Sequence, residues 1–129
     1  MIHKVTRFVY HKSMGMLLVR LASGYIFANH GWMKLQNLKG TSTFFAGLGL
    51  PPGTAAFIAI IEVVGGIMLI LGIAPRLAAL ILGIEMIVAL VLVSIPHGSF
   101  ELEILLAAAA FAVFFMGAGA YSLYSMERE

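Results

Sequence analysis

The sequence predicts an all-α membrane protein, a four-transmembrane-helix antiparallel bundle, and three observations carry that prediction. Of its 129 residues 61% are hydrophobic and only 11% charged, with a mean hydropathy of +1.02; a soluble domain this small would expose too much apolar surface. Four apolar stretches stand out, at about residues 14–30, 54–73, 77–95 and 102–118, each near the roughly 20 residues that cross a hydrocarbon core about 30 Å thick. The links after the second and third stretches are short, which forces antiparallel neighbours. One domain over residues 1–129 follows, with no room for a soluble catalytic lobe.

The first stretch follows the basic residues Lys4, Arg7 and Lys12, as in a signal peptide. Arg20 interrupts the apolar run, however, and no small-residue cleavage site follows at 29–33, so the segment reads as an uncleaved helix closed by His30-Gly31. The longest loop comes next. Its Thr41-Ser-Thr-Phe-Phe45 stretch suits the outer interface, with Trp32 as an aromatic anchor, and Gly47-Leu-Gly-Leu-Pro-Pro-Gly53 reads as irregular backbone because the prolines remove donors. Ala74-Pro75-Arg76 is a tight turn, and Ile95-Pro96-His97-Gly98 is another.

Loop charge sets orientation. With four spans both termini share a side, which holds Lys4, Arg7, Lys12, Arg76 and Arg128 against Lys34 and Lys39 on the other. Both termini are therefore expected in the cytoplasm, with the protein in the inner membrane and the lipid bilayer as its first partner. The net charge of +2 reflects these anchors, and without a basic helix it makes no case for nucleic acid. The chain has no cysteine, which excludes disulfides and thiol relays.

Three ionisable residues fall within the apolar stretches: Arg20, Glu62 and Glu85. At the centre of a membrane helix each costs roughly 2.5–3.5 kcal/mol on insertion scales, so such groups pair, neutralise or face a polar cavity. At about 1.5 Å per residue, Arg20 and Glu85 lie roughly 9 and 12 Å from the cytoplasmic edge, and Glu62 reaches the midplane from the other side. They form an inner layer that can meet in the bundle. An outer layer holds His30, Lys34, His97, Glu101 and Glu103.

Each layer has a bland and a functional reading. The inner one is either an ion pair of Arg20 with one glutamate, or a polar pocket for a small redox ligand in which Glu62 or Glu85 exchanges a proton; substrate transport is a third course. Gly65-Gly66 shares a helical face with Glu62, so either a neighbouring helix or a flat ring can approach there. The outer layer is a solvated network that fixes the loops or a ligand mouth. No metal site is expected, because the His97 and Glu101 spacing is not that of HExxH and a fourth ligand is lacking.

The runs LLVRLASGYIFANHGWMKL (17–35), FFAGLGLPP (44–52), IEVVGGIMLILGIAPRLAALIL (61–82), HGSFELEILL (97–106) and GAGAYSLY (117–124) resemble DoxX-family membrane proteins in order and spacing. Carried over residue by residue are Arg20, His30, Gly31, Lys34, Glu62, Gly65-Gly66, Arg76 and His97 with Glu101 or Glu103; Glu85 matches no family motif. The resemblance implies a link to quinone-coupled sulfur or thiosulfate oxidation, or to membrane oxidoreductases that handle oxidative stress.

No self-contained catalytic set can be assembled, since the chain contains no aspartate and no phosphate loop, flavin fold or haem-attachment pair. Redox chemistry would use a ligand in the bundle, a quinone, or a cofactor on a soluble or membrane oxidoreductase partner. The expected function is thus the membrane subunit of a quinone-linked oxidoreductase system, with a homo-oligomer compatible. Two other classes stay open, a small-solute transporter or channel and a structural anchor for a soluble redox partner.

Overall fold

The computed structural model describes residues 12–117 together with 119, 122 and 123. Five helices account for most of the described chain: α1 (Lys12–Gln36), α2 (Leu38–Gly47), α3 (Thr54–Leu71), α4 (Pro75–Ala89) and α5 (Glu101–Met116). No strand occurs among the described residues. The expectations that rest on Lys4, Arg7 and Arg128, on both chain ends and on the tail of the last apolar stretch lie outside the described residues.

Helix α1 does not stop at His30-Gly31 as expected. It continues to Gln36 because Gly31 is a contact point and not a cap: a Cβ there would sit 2.6 Å from the carbonyl oxygen of Ala59 on α3. Asn37, at φ −126° and ψ 53°, makes the break. The segment read as a loop then forms α2, whose amide at Thr41 donates back to the Asn37 carbonyl at 3.0 Å. Beyond α2 the irregular backbone appears where the prolines and glycines placed it. Gly49 and Gly53 take positive φ, at 84° and 89°, and Thr54 Oγ1 donates to the Pro51 carbonyl at 2.7 Å.

Gly72, at φ 72°, ends α3, and Pro75 opens α4 at a position where its missing N–H is not needed. Between them Ala74 takes φ 42°, the one non-glycine positive φ among the described residues. The far end of α4 widens into a π turn over Leu90–Ser94, closed by the Ile95 amide donating to the Leu90 carbonyl at 2.9 Å. Pro96 follows at once and cannot donate, so regular i to i−4 bonding could not have continued there.

The long helices form a closed ring of neighbours: α1 against α3, α3 against α4, α4 against α5, and α5 back to α1. The tightest seam is α1–α3. A Cβ on Gly24 would lie 2.7 Å from the Gly66 carbonyl oxygen, and one on Gly66 would lie 2.6 Å from the Ala28 amide nitrogen. Gly24 facing Gly66 and Gly31 facing Ala59 shows that the two helices run antiparallel. Close approach of small residues is how helices associate where burial from water gives no drive. Phe27, Leu69, Leu82, Ala110 and Val113 are fully buried in the middle. Outward faces carry exposed Leu18, Phe57, Ile60, Val64, Ile84, Val88, Val91 and Leu105, a far larger apolar surface than water tolerates. Helix α3 and the rod Pro75–Ser94 are long and apolar enough to cross a membrane.

Candidate functional site

Extension of α1 past Gly31 brings Lys34 one turn beyond His30, on the face that looks across to α3. There its Nζ donates to Glu62 Oε1 at 2.5 Å. Glu62 is fully buried and Lys34 about a quarter exposed, so the ammonium spans from the helix end into the interior along its apolar stem. Glu85 comes from α4 and lines the same cavity, with its carboxyl close enough to that of Glu62 for the two to interact by charge. Two carboxyls thus share an apolar interior with one cation, and Lys34 bonds directly to Glu62. The remaining oxygens, Glu62 Oε2 and Glu85 Oε2, are buried without a hydrogen-bond partner.

Glu62 and Glu85 line a cavity of about 390 Å³. Its polar floor is Lys34, Glu62 and Glu85; His30 from α1, Ser94 from the π turn and Glu103 from α5 stand on its walls. Helix α2 forms the roof through Thr41, Phe44 and Phe45. No residue of α2 is fully buried, so it lies across the top of the molecule and is not packed into it.

Several expectations change. The two layers are not separate: Glu62 and Glu85 share one cavity with His30, Lys34 and Glu103. Arg20 is apart from them. It is fully buried, and its Nε and Nη2 donate to the carbonyls of Leu69 and Ile70 at 2.9 and 3.3 Å. Those are last-turn carbonyls of α3, which have no helical donor and carry the negative end of the helix dipole. Arg20 therefore caps α3 and does not neutralise Glu62, which is seven residues or about 10 Å further along that helix. The expected Arg20–glutamate pair is replaced by Lys34–Glu62. Gly65 and Gly66 also leave the site, since Gly66 is against the α1 backbone and a Cβ on Gly65 would lie 3.0 Å from Leu82.

His97 is exposed, with its Nδ1 2.6 Å from the Val93 carbonyl oxygen and its ring 5.9 Å from Phe44. Glu101 is exposed in the first turn of α5. Neither lines the cavity. Sequence reasoning missed the roof and Ser94, although Leu38, Thr41, Phe45 and Leu48 recur at helical spacing.

The DoxX family profile matches residues 15–95, a span that holds Arg20, His30, Lys34, Glu62 and Glu85. The chain is 36% identical over 96 residues to the "Putative oxidoreductase CatD" of Bacillus subtilis (strain 168), with 72% of each chain covered. No solved structure matches the chain significantly. On the family match and this relative together, the chain belongs to the DoxX family.

Proposed function

We propose that this DoxX protein is the integral membrane subunit of a quinone-linked oxidoreductase system, spanning the inner membrane four times with both termini in the cytoplasm. One observation carries the reading: Glu62 and Glu85, each with a buried carboxyl oxygen that has no partner among the described residues, line a cavity beside Lys34. Buried polar atoms are costly when unpaired, so such a pair fits a head group that hydrogen-bonds there. The cavity volume of about 390 Å³ falls in the range of about 300–1,000 Å³ common for small-molecule sites.

A bound quinone would supply two-electron chemistry coupled to two protons. The side chains supply the rest. Lys34 and His30 can donate to a ring oxygen, and the Glu62–Glu85 pair can hold or release a proton without a net charge change larger than one. Half-buried His30 and Glu103, nearer the mouth, give that proton a way out. Lys34 fixes the Glu62 carboxyl in place, and the α2 roof limits water. Because these groups move protons and not electrons, the electron donor belongs to a partner subunit. The relative's description as an oxidoreductase supports the same reading.

The test is binding of a tailless quinone, 2,3-dimethoxy-5-methyl-1,4-benzoquinone, to the protein in nanodiscs. Removal of a charged hydrogen-bond partner in Glu62→Gln or Lys34→Met should lower affinity by about tenfold. His97→Ala should change it by less than about twofold. If folded wild-type protein binds no quinone analogue, alone or with a native partner, the reading fails and a structural anchor takes its place.

A further inference from the structure

The polar cavity has an apolar neighbour toward the side of the molecule. Helices α3 and α4 touch where Leu82 covers Gly65, but toward the α2 end they part, and an apolar groove of about 540 Å³ lies between them. Ile61 and Ile81 stand at one end of it, Thr54 and Leu92 at the other. From Ile81 to Leu92 it runs about 16 Å at the helical rise. Phe57, Ile84, Val88 and Leu92 are exposed along it, so it opens on the apolar outer face.

Groove and cavity meet. Glu85 borders both, and so do Phe45, Ile58, Ala89 and Val93. Glu85 and these neighbours thus border both a chamber lined by charged and polar side chains and a channel almost without polar atoms. That juxtaposition selects an amphiphile: a compact hydrogen-bonding head for the chamber and a hydrocarbon chain for the channel.

We propose that the α3–α4 groove is a lateral portal, through which a lipid-soluble amphiphile enters from the bilayer and in which its hydrocarbon tail stays while the head reaches Lys34, Glu62 and Glu85. The proposal rests on the reading of the cavity as a head-group site and adds the path and the tail subsite. The tail gains no transfer from water, because it comes from hydrocarbon already; it gains fit, and it keeps the head from leaving toward α2. A side chain that fills the groove should therefore exclude tailed ligands by overlap and leave tailless ones alone.

Two probes separate the claims, tailless 2,3-dimethoxy-5-methyl-1,4-benzoquinone and its 6-decyl derivative, each titrated into the full chain in nanodiscs. Val88→Trp and, independently, Ile84→Trp are exposed substitutions on the groove wall. They should weaken the decyl probe by about tenfold and change the tailless one by less than about twofold, since overlap acts only on the tail. A decyl tail ending in a diazirine should label wild-type peptides that contain Phe57, Ile61, Ile84 or Val88, and excess decyl probe should suppress the labelling. The portal is overturned if the tryptophans affect both probes alike or neither, or if labelling falls on α1 and α5. It is also overturned if native mass spectrometry shows that they change the oligomeric state while decyl binding stays intact, because the groove would then be an interface between copies. Failure of both probes to bind wild-type protein is a different result, and it removes the head-group site itself.

Discussion

Helix α3 presents two contrasting faces. Toward α1 it shows Ala59 and Gly66, and the backbones come so close that no further atom fits. Toward α4 it shows Ile58, Ile61 and Gly65, and toward the α2 end from Gly65 the helices part around an apolar groove. The difference teaches how a small helical protein can be rigid and hollow at once. Small residues on one seam fix the position of α3, and the large apolar ones on the other line the space that stays open.

The contrast breaks most severely at its tight side. Gly66→Leu should destabilise the protein by about 3 kcal/mol or more, because the added atoms meet backbone on α1 that cannot yield. Gly15→Ala, where nothing lies within 4 Å among the described residues, should stay within about 0.5 kcal/mol. Thermal unfolding in a mild detergent reads both. Equal losses at the two sites would mean that the seam is not where α3 is held.

A smaller effect is expected at the α3 C-terminus. Arg20→Leu removes charged hydrogen bonds to Leu69 and Ile70 and should cost about 1.5–3 kcal/mol. Affinity for a tailless quinone should move by less than about twofold, since the cap is about 10 Å from Glu62. A large loss of binding in a variant of near-native stability would join Arg20 to the site after all.

At the polar cavity, Lys34→Met leaves Glu62 buried without its cation. In a double-mutant cycle with Glu62→Gln the coupling should be about 1–2 kcal/mol, with the double variant more stable than the sum of single losses implies. Additive losses would dissolve the pair. The least effect is expected at His97→Ala, within about 0.5 kcal/mol of wild type, because that ring is exposed and outside the cavity, with a local bond to the Val93 carbonyl and a tilted ring contact to Phe44.

Elements punctuated by proline and glycine were legible in the sequence: Thr54 opens α3, Gly72 to Pro75 separates α3 from α4, and Pro96 ends the rod. Helix α2 was not, because its glycine, threonines and serine read as loop by propensity while contact with the neighbouring helices holds it. At the site, the intramembrane acids were visible as expensive charges, but their partner was not. Depth along a helix follows from counting residues; direction around it depends on where the helix stops. Ending α1 at Gly31 placed Lys34 in a loop, and opposite charge then pointed to Arg20. The acceptors of Arg20 on α3, at Leu69 and Ile70, are backbone carbonyls, which every residue carries and no sequence marks.

The Arg20 cap also imposes an order on biogenesis. Its carbonyl acceptors at Leu69 and Ile70 lie 49 and 50 residues further along the chain, which at about 5–20 residues per second leaves an interval of about 2–10 s of synthesis before they exist. Through that interval a nascent α1 in the four-span arrangement carries its guanidinium before its cap has been made, so it is poorly suited to release into lipid alone. The residue that locks the finished fold thereby favours holding the first helix beside the insertion machinery until the third arrives, and the two would enter the membrane as a pair.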